Sequence, residues 1–185
     1  MLMTPSITFR LIAHADIPTL HRWRNTPHVA QWWQPPTLDY PTALEEYTFY
    51  MRPDSGVQAY IIHFDQHPIG YMQAWQVQQF PDYNPFVTLS PHTTGLDLFI
   101  GEEAYLHRGL GAHLIQTFIH EYVFTHPSVP DCIIDPLPDN RSAIRAYEKV
   151  GFVHETTFEH DGSQVYFMRL TRDTLKPLPP LTLLG

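Results

Sequence analysis

Apolar and polar residues alternate at the start of the chain: Ile7, Phe9 and Leu11 flank Thr8 and Arg10. This is the period-two pattern of a half-buried strand. Asp16 stands at a helix N-cap position ahead of a segment with Leu20 and Trp23 on one face, and Asn25-Thr26-Pro27 should end that helix. Trp32-Trp33-Gln34-Pro35-Pro36 reads as a loop bearing two adjacent indoles. From Thr37 a second helical stretch brings Leu44, Tyr47 and Met51 to one face, with Glu45 and Glu46 pointing elsewhere, and Arg52-Pro53-Asp54-Ser55-Gly56 closes it.

Val57 to Phe64 and Pro68 to Trp75 are strand-like runs around Asp65-Gln66-His67, an antiparallel hairpin by pattern. Gln76 to Thr94 is broken by Phe80, Pro81, Tyr83 and Pro85 and has no periodicity. It reads as an insertion, either a specificity element or a long surface loop. A strand over Gly95 to Gly101 then leads through a glycine-punctuated turn into a helix from Gly109 to Thr125, with Leu110, Leu114, Phe118 and Tyr122 as its stripe. A short strand at Cys132 to Asp135 precedes a helix from Asn140 to Val150, closed by Gly151 as a left-handed cap. Phe152 to Phe158 and Gln164 to Leu170 form a last hairpin around His160-Asp161-Gly162, and the proline-rich tail from Lys176 should be extended and peripheral. This order predicts an α/β (α+β) fold with a mixed central sheet of about seven strands flanked by about four helices. One domain over 1–175 and a tail over 176–185 are expected.

A hydrophobic share of 43% with 16% charged residues is a globular composition. The formal charge is −8, with Lys149 and Lys176 as the two lysines, so no basic face exists to neutralise a phosphate backbone and nucleic acid is not expected as a partner. A negative field favours cationic small molecules, and equally serves solubility alone. Cys132 is the single cysteine, which excludes an intramolecular disulfide and suits a reducing compartment. Neither a signal peptide nor a membrane span is indicated, so a cytoplasmic protein is expected. Of twelve histidines none forms a His-Glu-x-x-His, and Cys132 has no partner cysteine. No metal is expected, and His63, His67, His113 and His120 read as surface or packing residues.

The chemistry concentrates around Leu106-His107-Arg108-Gly109-Leu110-Gly111-Ala112, where a strand runs into a helix. Unpaired backbone N–H groups and the helix dipole favour an anion there, the two glycines let it approach, and Arg108 adds charge. The three-glycine spacing of a dinucleotide site is absent. Downstream lies Asn140-Arg-Ser-Ala-Ile-Arg-Ala-Tyr147-Glu-Lys-Val-Gly151-Phe152. The two segments together resemble the cofactor motifs of the GNAT superfamily of N-acetyltransferases. The resemblance implies that His107, Arg108, Gly109, Leu110, Gly111 and Ala112 hold the pyrophosphate of acetyl-CoA. It places Phe99, Ile100, Asn140, Ala143 and Lys149 along the rest of the cofactor, Asn140 on the pantetheine arm, and Tyr147 at the thioester sulfur as proton donor to the departing thiolate. Read from its spacing alone, Tyr147 lies on a core stripe with Ala143, Ile144 and Val150. Leu106 stands where many members of the superfamily carry Gln or Arg.

Four further segments, His28-Val-Ala-Gln-Trp32-Trp33, Pro68-Ile-Gly-Tyr71-Met-Gln73, Gly95-Leu-Asp97-Leu-Phe-Ile and Asp135-Pro-Leu-Pro-Asp139-Asn140, resemble the substrate-facing parts of the aminoglycoside 6′-N-acetyltransferases. The resemblance implies that Asp97 is the acid nearest the acceptor amine and that Asp135 binds a second amine. Gln73 and one of Trp32 or Trp33 would contact the sugar rings, although the indole pair reads equally well as a wedge between helical segments. Siderophore-lysine acylation, protein or peptide N-acetylation, and a non-catalytic acyl-CoA-binding module stay open as alternatives. The siderophore branch usually has His where this chain has Asp97.

Overall fold

Residues 5–160 and 162–181 are described by a computed structural model of the chain. The strands are β1 (Ile7–Leu11), β2 (Val57–Phe64), β3 (His67–Gln76), β4 (Thr94–Ile100), β5 (Asp131–Ile134), β6 (Val153–His160) and β7 (Ser163–Thr171). The helices are α1 (Ile17–Arg24), the single turn α2 (Pro27–Ala30), α3 (Tyr40–Tyr50), α4 (Leu110–Phe118) and α5 (Arg141–Val150). The strands form one mixed sheet in the order β1-β2-β3-β4-β5-β7-β6. β1 runs antiparallel to β2, β5 and β6 antiparallel to β7, and β4 parallel to β5, pairing Thr94 with Cys132 and Gly95 with Ile133. Residues Asp65 and Gln66 link β2 to β3 with φ of 47° and 67°, the left-handed pair that closes a tight hairpin. Asp161, expected in the last hairpin turn, lies outside the described residues.

The chain divides into two compact units, Met1–Gln73 with Asp97–Arg108, and Ala74–Leu96 with Gly109–Gly185. In the first, Ile17, Leu20 and Trp23 of α1, Tyr47 of α3, and Ile61, Ile62, Ile69 and Tyr71 of the strands are buried. In the second, Leu114 and Phe118 of α4, Ile144 and Val150 of α5, and Ile133, Phe167 and Leu170 of the strands are buried.

Several local expectations change. Asp16 sits at the N-cap position of α1 but does not cap it; its carboxylate turns back to accept from the Ala13 amide at 2.8 Å and pairs with Arg10 at 2.8 Å. The stop at Asn25-Thr26-Pro27 is followed at once by α2, because Pro at the first position of a helix costs no hydrogen bond. α3 begins at Tyr40 rather than Thr37, capped by Asp39, which accepts from the Thr42 amide at 2.8 Å. Its buried face is Ala43 and Tyr47, while Leu44 is exposed and Glu46 turns inward. The long helix after Gly109 passes at Ile119–Val123 into a π-helical turn, with the Phe124 amide bonded to the Ile119 carbonyl at 2.8 Å. The extra residue rotates the stripe, so Ile119 and Val123 are buried instead of Tyr122.

The insertion is not a bare surface loop. Two 3-10 turns, Val77–Gln79 and Pro81–Phe86, bury Val77 and Tyr83 against Ile133, Val165 and Phe167. The tail is extended yet tied down: the Lys176 amide donates to the Val150 carbonyl at 2.8 Å, and His113 of α4 meets the Pro179 carbonyl at 2.9 Å.

Candidate active site

In the first unit a directed chain of hydrogen bonds ends on Asp97. Tyr71 Oη donates to Gln73 Oε1 at 2.6 Å, and Gln73 Nε2 donates to Asp97 Oδ2 at 2.7 Å. The direction follows from Tyr71: burial first, then the nearby Tyr47, Tyr50, Glu46 and Asp97, push its phenol well above the usual range, so it stays a donor. The oxygen of Gln73 must therefore face Tyr71, and its NH2 must face the carboxylate. Gln73 and Asp97 were expected to face the acceptor, and β3 and β4 bring them into contact.

An aromatic wall adjoins this chain. Tyr71 and Phe99 stack at 5.3 Å, and Trp33 meets Phe99 edge-on at 5.1 Å. The buried Arg24 guanidinium lies over the Trp33 ring at 5.0 Å and reaches the Gln34 and Pro35 carbonyls at 3.4 and 3.3 Å. Arg24 thus holds the double-tryptophan loop from beneath. Trp33 and Trp32 are both half-buried, and the packed indole is Trp33. Glu46 borders the same cluster, its carboxyl raised by burial against the lowering effect of Arg24 and Tyr50. Arg24 and Glu46 escaped the sequence reading because their apolar surroundings come from other elements.

The second expected acid, Asp135, falls one residue past the end of β5 rather than on a strand. Tyr83 of the insertion donates to Asp135 Oδ2 at 3.1 Å. That contact links residues 52 apart in sequence and carries no local signal. Its neighbour Asp131 is buried, accepting from Thr93 Oγ1 at 2.6 Å and pairing with Arg169 at 2.6 Å. Cys132 beside it is buried, which pushes its thiol up and leaves it unreactive.

The expected pyrophosphate cradle has the backbone for its task. His107 and Gly109 both have positive φ, 60° and 76°, and His107, Arg108 and Gly109 are exposed. A left-handed residue next to a helix start turns successive N–H groups toward one point. A Cβ built on Gly109 meets nothing within 4 Å, so the turn just before α4 is open at that point. Leu110 and Ala112 are buried. These residues fit an anionic cofactor.

On α5, Asn140 is the N-cap, its Oδ1 accepting from the Ala143 amide at 3.2 Å, and Ala143 is half-buried. Tyr147 lies on the buried stripe with Ile144 and Val150, its ring 5.9 Å from Phe152, while Lys149 is exposed. Phe99 belongs to the aromatic wall, and the Ile100 carbonyl meets His28 Nε2 at 3.1 Å. Among the described residues there is no group of three His, Cys, Asp or Glu arranged to hold a metal.

The chain thus combines a mixed seven-stranded sheet with an exposed turn at His107–Gly109 before α4, and the acetyltransferase (GNAT) domain model matches residues 13–160. The chain belongs to the GNAT acetyltransferases and is an acetyl-CoA-dependent N-acetyltransferase. It is 32% identical over 169 residues to the aminoglycoside N(6')-acetyltransferase type 1 of Klebsiella pneumoniae, covering 89% of this chain and 83% of that protein. The structure of aminoglycoside acetyltransferase AAC(6')-Ib with coenzyme A and kanamycin superposes with a TM-score of 0.80 at 28% identity, covering 91% of this chain and 96% of that one. The spermidine N-acetyltransferase of Vibrio cholerae, in complex with CoA and spermine, shares the fold at a TM-score of 0.72 and 18% identity, covering 91% and 96% of the two chains.

Proposed function

We propose that the chain acetylates a primary amine of a small cationic acceptor, the 6′-amine of an aminoglycoside, by direct attack in a ternary complex. The observation that carries this reading is Asp97, held by the Tyr71-Gln73 chain beside an aromatic wall in a protein of formal charge −8. An ordered carboxylate next to aromatic faces suits an ammonium on a sugar ring. The names of the relatives at 32% and 28% identity support the same acceptor class.

In this reading Asp97 holds the reacting amine and Asp135 takes a second ammonium. Each such charge-assisted bond is worth about 1.5–3 kcal/mol. Gln73 and Trp33, with Trp32 beside it, line the sugar. Bound acetyl-CoA supplies the activated acyl thioester. The amides of Leu110, Gly111 and Ala112, with His107, Arg108 and Gly109, would hold its pyrophosphate. Asn140, Ala143, Lys149, Phe99 and Ile100 would border the rest. Tyr147 would give a proton to the departing thiolate. A free aspartate, at about 3.9, is a poor acceptor of a proton from an alkylammonium near 10, so the main task of Asp97 is to position the amine. The lone unpaired thiol fits a cytoplasmic enzyme.

Thiol release from acetyl-CoA is to be followed with kanamycin, a lysine derivative and a peptide as acceptors, and the acetylated nitrogen located by NMR. Acetylation at the 6′ position of kanamycin is expected. Asp97→Asn should lower kcat/KM about 10- to 100-fold. Transfer only to the lysine derivative or the peptide would overturn the acceptor assignment, and full turnover with unchanged affinity in Asp97→Asn would remove the role of that acid.

A further inference from the structure

The insertion, Gln76 to Thr94, is held by hydrogen bonds at several points and by ring packing. The Val77 amide donates to the Thr93 carbonyl at 3.3 Å, Thr93 Oγ1 donates to the buried Asp131, and Arg169 reaches the Thr88 carbonyl at 3.0 Å. Gly95 of β4 completes the frame: a Cβ there would lie 2.0 Å from the Trp75 ring, so only glycine lets that indole lie flat across the strand. Tyr83 stands edge-on to Trp75 at 5.5 Å and packs against Phe167 at 6.3 Å. The ring is therefore fixed on two sides, and its hydroxyl is delivered to Asp135 Oδ2.

We infer that Tyr83 is a positioning residue that fixes the Asp135 carboxylate, so that the insertion selects acceptors carrying a second ammonium. The assignment rests on the aminoglycoside reading above and adds to it the element that sets specificity. A phenol hydrogen bond to one oxygen of a carboxylate narrows the side-chain torsions open to it and favours one geometry toward an incoming ammonium. Because the ring is seated by packing, removing the hydroxyl alone leaves the frame in place.

The test is the specificity ratio, kcat/KM for kanamycin over kcat/KM for the single-amine sugar 6-amino-6-deoxyglucose, in the full-length enzyme. Tyr83→Phe should lower that ratio about 5- to 10-fold, most of it through KM for kanamycin. Asp135→Asn should lower it at least as far, and adding Tyr83→Phe to Asp135→Asn should lower it no further, because the hydroxyl acts through the carboxylate. A thermal melt on each variant checks that the fold persists. A wild-type ratio in Tyr83→Phe, or losses that add in the double variant, would overturn the assignment while the acceptor class stands. A wild-type enzyme active on neither sugar would overturn the acceptor class and this assignment with it.

Discussion

At the scale of single residues, Gly109 separates the demands of folding from those of the cofactor. Its φ is 76°, and an added methyl would meet nothing in the protein within 4 Å. Gly109→Ala should therefore lose only the backbone cost of a left-handed alanine, about 1–2 kcal/mol, in urea unfolding. If the amides of Leu110 to Ala112 hold the pyrophosphate, the same methyl intrudes on the ligand, and calorimetry should show acetyl-CoA binding weakened by about tenfold or more, beyond the stability loss. Unaltered binding would take Gly109 out of the cradle. The sequence exposed this residue through its spacing, but it gave no sign that His107 shares the left-handed conformation.

At the scale of elements, the start of α5 combines two tasks in one side chain. Asn140 caps the helix through its oxygen, and the pantetheine contact proposed for it would use the same amide group. Asn140→Ala should cost about 1 kcal/mol of stability, whereas Asn140→Ser should restore the cap. Weakened acetyl-CoA binding in the stable Ser variant is expected. Wild-type binding in that variant would reduce Asn140 to a cap.

The corner between β1 and α1 makes a pH prediction. Burial alone would raise the Asp16 carboxyl, but the hydrogen bond from Arg10 and that from the Ala13 amide together hold it below its ordinary 3.8. A carboxyl lowered in the folded state adds stability that is present above the unfolded value and is lost as pH falls through the folded one. Arg10 is 49% exposed, so solvent screening limits the gain to about 0.5–1 kcal/mol. Asp16→Asn should show that deficit by urea unfolding at pH 7 and lose most of it near pH 3. An equal deficit at both values would assign Asp16 a packing role instead.

For the molecule as a whole, the formal charge of −8 acts at distances beyond any single contact. Added salt shortens the screening length from about 30 Å at 0.01 M to about 10 Å at 0.1 M. The kcat/KM for kanamycin should accordingly fall as sodium chloride is raised through that range, while a neutral amine acceptor should show little change. A flat profile for kanamycin would confine the attraction to short-range contacts. Lys176, where the expected tail begins, is held to the body of the second unit: its Nζ donates to the Glu148 carbonyl at 3.1 Å, and Gln116 of α4 donates to its carbonyl at 2.5 Å.

The sequence by itself determined the order of strands and helices, the glycine turn before α4, and the acids worth watching, because periodicity and turn chemistry act over a few neighbouring residues. Gln73 and Asn140 were proposed through the resemblance to known acetyltransferases, and Asp97 through that resemblance together with the rarity of an aspartate on an apolar strand. Leu20 and Trp23 of α1, Leu114 and Phe118 of α4, and Ile144 and Val150 of α5 are buried as periodicity predicts, whereas the departures from that pattern were decided by tertiary structure. Glu46 of α3 meets Arg24 of α1, and the stripe of α4 shifts because a π-helical turn adds a residue. The bond from Tyr83 to Asp135 joins an aperiodic segment to a strand end 52 residues away. Where burial depends on what folds against a residue from elsewhere in the chain, no local pattern encodes it.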